Sequence, residues 1–301
     1  MTDFRSGFVA VIGRPNVGKS TLINALLGQK VAAVSHKPQT TRRRQLGILT
    51  LPHAQIVFVD TPGLHAPRHK LGEFLNQEAE EALEGVDVIL WIVDASKEAT
   101  GDERRIASLL SSLRIKAALI LGLNKIDLLS AEALSACQAA HHSLAPQARL
   151  HPLSARRGDG LADLLKLLIS HLPIREAEFP ADQVTDLYER EIAADLMREA
   201  ALTFLRDEVP HSLAIRIDEY KERGETGAYI AATLFVERES QKGIVIGEGG
   251  RRLKKIGSAA RQAVEAMSGR KVFLELRVKV LKDWRNNERL LKRFGYRIKR
   301  R

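Results

Sequence analysis

The stretch Gly13-Arg14-Pro15-Asn16-Val17-Gly18-Lys19-Ser20 constrains this chain more than any other part of its sequence. It follows an apolar run, residues 8–12, and opens a segment with helical periodicity, residues 20–27. In this context the pattern G-x-x-x-x-G-K-S predicts a loop whose backbone N–H groups wrap phosphates while Lys19 supplies a positive charge and Ser20 ligates Mg²⁺. We therefore expect a nucleotide phosphate site between the first strand and the first helix.

Apolar runs and helical stretches alternate up to about residue 172. We expect strands at 8–12, 55–59, 88–93, 118–123 and 150–152, and helices at 20–27, 71–83, 103–113, 131–142 and 161–171. This alternation is typical of an α/β domain, in which helices cover both faces of a mostly parallel sheet.

Three further motifs follow predicted strands in the order that a guanine-nucleotide site requires. Asp60-Thr61-Pro62-Gly63 places a carboxylate near the metal and a glycine N–H near the γ-phosphate. Asn124-Lys125-Ile126-Asp127 offers the Asp127 carboxylate to guanine N1–H and the 2-amino group, and adenine has neither donor there. Because an unpaired buried carboxylate is costly, this motif favours GTP over ATP. Ser154-Ala155 adds backbone donors to guanine O6.

The order of elements changes after residue 172. Residues 173–186 carry two prolines and four acidic residues, so they are expected to form a linker that ends at Asp186, the predicted N-cap of a new helix. A helix at 187–205 then precedes strands at 213–220, 229–236 and 272–281, which predicts a small α+β domain. The expected boundaries are 6–174 for the first domain, 175–186 for the linker and 187–301 for the second domain.

A glycine-rich turn in the second half has the pattern of a nucleic-acid-binding loop. Residues 246–253 fit I-G-x-x-G-x-x-[ILV], with which KH domains hold a nucleic-acid backbone, although the motif alone favours a bare helix-turn-helix. The basic residues that follow favour single-stranded RNA. Glu248 is an unexpected anion in this loop, and we expect it to point away from phosphates or to be offset by Arg251 and Arg252.

Positive charge is concentrated in the last sixth of the chain. Residues 251–301 hold 18 Lys and Arg against 4 Asp and Glu, whereas residues 1–250 hold 29 against 33. Such segregation indicates a polyanionic partner, either nucleic acid or an anionic membrane surface. The apolar fraction of 45% and the single cysteine exclude a mostly disordered or disulfide-stapled chain, and no stretch has the roughly 18 apolar residues of a membrane span.

The nucleotide motifs resemble those of Ras-like GTPases. The segments next to these motifs resemble the corresponding segments of the Era family. Pro38-Gln39-Thr40-Thr41-Arg42 is similar to that family's second motif, and so is the continuation of D-T-P-G through residues 64–73. Residues 278–289, V-K-V-L-K-D-W-R-N-N-E-R, are similar to its C-terminal signature. The resemblance covers nearly the whole chain and implies an α/β Ras-like P-loop GTPase domain followed by a small α+β type II KH domain.

The resemblance also implies roles for individual residues. Lys19, Thr41, Asp60 and Gly63 are the expected catalytic residues, and Ser20 and Thr41 are the expected Mg²⁺ ligands, with Thr40 as the alternative to Thr41. The residues expected to bind GTP are Gly13, Arg14, Pro15, Asn16, Val17, Gly18, Lys19, Ser20, Asp60, Thr61, Pro62, Gly63, Leu64, Asn124, Lys125, Ile126, Asp127, Ser154 and Ala155. The residues expected to bind RNA are Gly247, Glu248, Gly249, Gly250, Arg251, Arg252, Lys254 and Lys255.

Leu64 occupies the position where Ras-like enzymes carry a glutamine that orients water, and it has no hydrogen-bonding group. Relatives with an apolar residue there often use a P-loop asparagine to help bind K⁺ beside the phosphates. In this chain that residue is Asn16, which otherwise only shapes the loop.

The implied function is a Mg²⁺-dependent, K⁺-stimulated GTP-hydrolysing switch that binds 16S rRNA near its 3′ end and assists assembly of the small (30S) ribosomal subunit. The expected partners are GTP, GDP, 16S rRNA and the small subunit, and the expected state is a monomer in the cytoplasm. One alternative is a peripheral signalling GTPase on the cytoplasmic face of the inner membrane, inserted through Trp284, Leu290, Leu291 and Phe294. Weak membrane contact is also compatible with RNA binding. Another alternative is an RNA-binding module in which GTP is only structural.

Overall fold

The computed structural model describes residues 3–30, 32–34, 41–113, 116–224 and 226–296. These residues form two units, each with its own apolar core. The first unit contains residues 3–30, 32, 41–66, 75–113 and 116–186. The second contains residues 33–34, 67–74, 187–224 and 226–296.

The sheet of the first unit has six strands within the described residues. They are β1 (Arg5–Ile12), β2 (Gln45–Leu51), β3 (Ala54–Asp60), β4 (Val88–Asp94), β5 (Ala118–Asn124) and β6 (Arg149–Leu153). The order is β2-β3-β1-β4-β5-β6, and the strands pair in parallel except for β2, which runs antiparallel to β3. The predicted parallel sheet is confirmed, whereas β2 was absent from the prediction.

Helices cover both faces of this sheet. Successive residues of β1 point to opposite faces, so Val9 and Val11 pack in one apolar cluster with Leu22, while Ala10 and Ile12 pack in the other with Ile106. Because both faces are covered, β3 and β4 are buried along their whole length. The helices of this unit are α1 (Lys19–Leu27), α3 (Gly101–Ser112), α4 (Ala131–His142) and α5 (Leu161–His171). Helix α2 (Lys70–Glu81) contributes residues 75–81 to it.

Residues 175–186, the predicted linker, are hydrogen-bonded along the first unit. The buried side chain of Gln55 accepts hydrogen bonds from the N–H groups of Glu178 and Phe179, at 2.8 and 3.0 Å. Farther along, Ile48 N–H donates to the Val184 carbonyl at 2.9 Å, which attaches the segment to the outer edge of β2. Asp186 accepts from Leu46 N–H at 2.8 Å. The predicted N-cap is wrong, because the next helix begins at Glu189 and its N-cap is Tyr188. The segment belongs to the first unit.

The second unit combines a three-stranded sheet with five helices within the described residues. Its strands are β7 (Ala214–Arg223), β8 (Gly227–Val236) and β9 (Lys271–Val280), with β7 antiparallel and β9 parallel to the central β8. Its helices are α6 (Glu189–Phe204), α7 (Val209–Ser212), α8 (Glu239–Ile246), α9 (Arg251–Ser268) and α10 (Glu288–Arg293). Leu196 of α6, Ile256 of α9 and Ile230 of β8 share its core. The predicted α+β architecture is confirmed.

Three of the four apolar residues proposed to enter a membrane lie inside the second unit instead, and the fourth, Leu290, is half-buried. Trp284 and Leu291 are fully buried, Phe294 is 7% exposed, and the indole Nε1–H of Trp284 donates to the Ser212 carbonyl at 2.8 Å. These side chains therefore form no exposed interfacial face. Among the described residues, none of the helices combines the length and apolar character that crossing a membrane requires.

Candidate functional site

The predicted nucleotide motifs meet at one edge of the six-stranded sheet. They follow the carboxyl ends of β1, β3, β5 and β6, which lie at the same edge because these strands are parallel. The loop after β1 leads directly into α1, so backbone N–H groups at the start of that helix are available to phosphates.

Lys19 is held in place by the phosphate-binding loop itself. Its Nζ donates to the carbonyls of Gly13 and Arg14 at 3.1 and 3.2 Å, and the residue is 7% exposed. Burial lowers the pKa of Lys19 to about 8, an effect that nearby Asp60 partly opposes. A bound phosphate would stabilise the charged form of Lys19, which burial deprives of solvating water.

Three oxygen-bearing side chains converge beside Lys19. Ser20 Oγ donates to Asp60 Oδ2 at 2.8 Å and lies 2.9 Å from Thr41 Oγ1. Burial raises the pKa of Asp60, although Lys19 and these hydroxyl groups oppose the shift. The other carboxylate atom, Asp60 Oδ1, is buried without a hydrogen-bond partner among the described residues. Oxygen ligands with an unsatisfied carboxylate atom suit a hard cation such as Mg²⁺.

Thr40, the alternative to Thr41, lies outside the described residues, as do Pro38 and Gln39. Within the described part of the chain, no group of three or more His, Cys, Asp and Glu side chains could hold a metal. A cation here would therefore depend on hydroxyl groups, one carboxylate and the phosphates themselves.

Asn124 organises the region where a guanine base is expected. Its amide donates to the Val17 carbonyl at 2.7 Å, and its Oδ1 accepts from the N–H groups of Lys125 and Ala155 at 2.8 and 2.9 Å. Gly18 makes this approach feasible, because a Cβ there would lie 2.3 Å from the Asn124 amide nitrogen. Asn124 thus joins three predicted GTP-binding motifs.

Asp127, the predicted guanine-reading residue, follows in a short 3-10 turn with Ile126. Ser154 Oγ donates to Asp127 Oδ1 at 2.6 Å, which orients the carboxylate. The second carboxylate oxygen is oriented to accept from guanine. The predicted backbone donors to guanine O6 are instead used inside the protein, because Ala155 N–H donates to Asn124 Oδ1 and Ser154 N–H donates to the Asp159 carbonyl at 2.9 Å.

The D-T-P-G motif lies against the phosphate-binding loop. Thr61 Oγ1 donates to the Val11 carbonyl at 2.8 Å, and Leu64 N–H donates to the Gly13 carbonyl at 3.1 Å. A Cβ at Gly63 would lie 2.5 Å from the Pro15 nitrogen, so only glycine fits this approach. Leu64 is 6% exposed and, being apolar, cannot orient a water molecule for attack.

The glycine loop of the second unit separates α8 from α9. Gly247 has a φ of 70°, and a Cβ there would lie 2.8 Å from the Arg252 Cβ, so the loop requires glycine at this position. Glu248 forms an ion pair with Arg251, as one of the sequence-based alternatives proposed. Arg252, Lys254 and Lys255 are exposed on the first turns of α9. The predicted RNA-binding residues are therefore adjacent in space.

Comparison with known proteins assigns the family. A family model described as "50S ribosome-binding GTPase" matches residues 8–125, and a KH-domain model matches residues 208–285. GTPase Era of Geobacter metallireducens is 47% identical over 294 residues, which cover 97% of this chain and 98% of that protein. The chain belongs to the Era family of GTPases. Era of Heliobacterium modesticaldum is 45% identical over 296 residues, which cover 98% of each chain.

A solved Era structure supports the same assignment at the level of the fold. It shows Era in complex with MgGDPNP and nucleotides 1506–1542 of 16S ribosomal RNA. It matches this chain with a TM-score of 0.93 and 40% identity, and covers 98% of this chain and all of that one. The Ras-like GTPase domain with a following KH domain is thereby confirmed.

Two acidic residues of this Era-family chain support the nucleotide motifs without belonging to any of them. Asp94 accepts from Lys125 Nζ at 2.7 Å, and Glu103 accepts from Arg14 Nε at 2.7 Å. Asp94 is the last residue of β4, so its position at the end of a buried strand, like that of Asp60, could have revealed it. Glu103 lies on α3, and nothing local in the sequence relates it to the loop after β1.

Proposed function

We propose that this chain is a GTP-hydrolysing switch that binds 16S rRNA near its 3′ end and assists assembly of the small ribosomal subunit. The observation that carries the proposal is the presence of a guanine-nucleotide site and a KH glycine loop in one chain that matches Era over 98% of its length. Era in the matching structure holds both a GTP analogue and RNA. The broader family description names the 50S subunit, but 16S rRNA belongs to the small one.

We infer that Mg²⁺ is the cofactor of hydrolysis. Ser20 and Thr41 would hold it, and the buried, unpartnered Oδ1 of Asp60 supports a cation at this point. When bound, Mg²⁺ neutralises charge on the β- and γ-phosphates. Lys19 contributes a second positive charge, and the N–H of Gly63 is available to the γ-phosphate. K⁺ held with the help of Asn16 would replace the electrostatic contribution of an arginine finger.

For RNA, the proposal depends on the loop from Gly247 to Gly250 and the cations that follow it. The alternative of a peripheral membrane GTPase loses its support, because Trp284, Leu291 and Phe294 are buried. The monomeric state and the cytoplasmic location stay predictions.

The enzymatic part of the proposal is tested by phosphate release under multiple turnover, with and without RNA of nucleotides 1506–1542. We expect hydrolysis of GTP but not of ATP, and Lys19→Ala should abolish it because the loop loses its cation. Tight GTP binding without turnover above the Lys19→Ala background would mean that the nucleotide is only structural.

The RNA part is tested by crosslinking in cells followed by sequencing of the bound RNA. We expect reads concentrated at the 3′ end of 16S rRNA, and their loss in Gly249→Asp, which adds an anion to the loop. Reads spread evenly over all ribosomal RNA would contradict the proposed partner.

A further inference from the structure

A stacked aromatic pair, in which Phe273 is exposed and Tyr229 is half-buried, lies on the sheet of the second unit, away from the glycine loop. Phe273 of β9 is 65% exposed, and its ring stacks on Tyr229 of β8 with centroids 5.9 Å apart and an interplanar angle of 19°. The guanidinium of Arg223 on β7 lies 5.1 Å from the Tyr229 ring centroid. Three neighbouring strands thus present an arginine and two aromatic rings together.

This pair contributes nothing to the apolar core. Tyr229 and Phe273 are cross-strand partners, so their side chains share one face of the sheet. Their neighbours Ile230 and Val272 point to the opposite face, where they are 0% and 5% exposed within the core. An aromatic ring that is exposed where core packing does not require it is available to a ligand.

A groove connects the glycine loop to Phe273. It has a volume of about 460 Å³, lies between α9 and the edge strand β9, and is lined by Gly250 at the start of α9 and by Phe273. Gly257 faces Leu276, whereas the later Glu265 accepts from Val272 N–H at 3.0 Å, so α9 and β9 run in opposite directions. Phe273 therefore lies at the end of the groove that is farther from the glycine loop.

The charges along this path suit a polyanion. Lys254 and Arg261 line the groove, and Lys271 and Arg223 are exposed near the aromatic pair. Two carboxylates that share this face are compensated. Glu275 accepts from Arg277 at 2.6 Å and from the Tyr229 hydroxyl at 2.8 Å, and Glu219 forms an ion pair with Lys221. Cations beside a stacked aromatic ring are the combination that proteins use for single-stranded nucleic acid.

We infer that an RNA strand held by the glycine loop leaves the groove over Phe273, where an unpaired base stacks on the Phe273–Tyr229 pair. This inference rests on the proposed RNA-binding function and extends it beyond the roughly four nucleotides that a KH loop holds. Stacking requires only the flat face of a base, so the added contact gives affinity with little sequence preference.

The test compares the intact protein with Phe273→Ala for binding to RNA of nucleotides 1506–1542. We expect affinity to fall roughly 5- to 150-fold, the range measured for stacked bases. The slope of log affinity against log salt should stay unchanged, because stacking releases no counterions. Lys254→Ala should instead make that slope shallower by about 0.7. Phe273→Trp retains a stacking surface and should retain affinity.

A scan with abasic nucleotides identifies the base concerned. In the unmodified protein, removal of the stacked base should weaken binding, and in Phe273→Ala the same removal should cost nothing further. Leu128→Ala, which removes another exposed apolar side chain, is the matched control and should be additive with every abasic position.

The outcomes separate this inference from the function on which it rests. If Phe273→Ala and abasic substitutions are additive everywhere, or if Phe273→Ala leaves affinity unchanged, no base stacks there and the inference is wrong while RNA binding stands. If the unmodified protein does not bind this RNA at all, the proposed function itself fails.

Discussion

At the scale of single residues, the nucleotide site depends on polar side chains that are oriented by their neighbours. Asn124 is 2% exposed and makes three hydrogen bonds that connect the loops after β1, β5 and β6. Asp127 is oriented by Ser154 in the same way. Orientation before binding reduces the entropy lost when the base enters, which favours tight and selective binding.

The first prediction concerns the choice of base. Asp127→Asn should weaken GTP binding at least about 100-fold, because two charge-assisted hydrogen bonds to guanine are lost. It should strengthen binding of xanthosine triphosphate, whose 2-oxo group accepts the new amide donor. Calorimetry with both nucleotides checks this, and unchanged GTP affinity would contradict the role given to Asp127.

The second prediction concerns K⁺. Hydrolysis should be about tenfold or more faster in K⁺ than in Na⁺ at equal ionic strength, since an arginine in the same role gives about 10³- to 10⁵-fold. Asn16→Ala should remove this difference while GTP still binds. Rates of phosphate release in the two salts provide the measurement.

Asn16→Gly is the matched control for this experiment. Asn16 has a left-handed φ of 64°, which glycine adopts freely and alanine does not. Loss of the K⁺ effect in both variants assigns it to the amide side chain, whereas loss in Asn16→Ala alone would assign it to loop shape. Equal rates in both salts for the unmodified protein would defeat the prediction.

At the scale of secondary-structure elements, the start of α3 supports two loops of the nucleotide site. Glu103 accepts from Thr100 N–H and Oγ1 at 2.5 and 2.7 Å, which forms the capping box of the helix, and also from Arg14 of the phosphate-binding loop. Asp102 accepts from Ala66 N–H at 3.2 Å, just beyond the D-T-P-G motif. One helix end thus fixes the positions of both loops.

The third prediction follows from the ionisation of Glu103. Burial alone would raise its pKa, but the hydrogen bonds from Thr100 and the Arg14 guanidinium outweigh burial and lower it below the ordinary 4.5. The stabilising contribution is therefore fully present above about pH 4.5 and is lost as the pH falls through the lowered pKa. Glu103→Gln should reduce the free energy of unfolding by about 1.5 to 3 kcal/mol at pH 7.

Denaturant unfolding at several pH values measures this effect. The difference between the unmodified protein and Glu103→Gln should be constant from pH 7 to about pH 5 and should shrink at lower pH. Glu132→Gln, at an exposed acid on α4, is the control and should change stability little. A difference that persists undiminished well below pH 4 would contradict the charged interaction.

Features that depend on local sequence patterns could be predicted from the sequence, whereas features that depend on contacts between distant residues could not. The strand ends and the glycine-bounded loops depend on local patterns, so the parallel sheet and the positions of Lys19 and Asp127 followed from the sequence. β2 was missed because Gly47 interrupts its strand pattern, and its pairing with β3 decides its structure. Glu103 was missed because its partner Arg14 lies 89 residues away.

At the scale of the whole molecule, the excess of positive charge is confined to the last 51 residues, away from the nucleotide motifs. The first 250 residues hold 29 basic against 33 acidic side chains, whereas the last 51 hold 18 against 4. Salt should therefore weaken RNA binding steeply, because binding releases counterions from phosphates. The hydrogen bonds that select guanine depend far less on ionic strength.

The fourth prediction concerns this salt dependence. Glu248→Lys should tighten RNA binding and steepen the single-strand salt slope by about 0.7 to 1.4, because it adds a cation and releases Arg251 from its ion pair. Binding isotherms at several salt concentrations check this. Gly249→Asp should act in the opposite direction. A slope unaltered by Glu248→Lys would mean that this side chain faces solvent, away from the RNA.

The attachment of residues 175–186 to β2 also protects an edge of the sheet from pairing with other polypeptide chains. β2 is the outermost strand of its sheet, and an uncovered edge offers unpaired N–H and C=O groups to any extended polypeptide. Here Val184 and Thr185 cover part of that edge. A fragment that ends at residue 174 would expose it and be prone to aggregate strand to strand, whereas one that ends at residue 186 would keep its own protection.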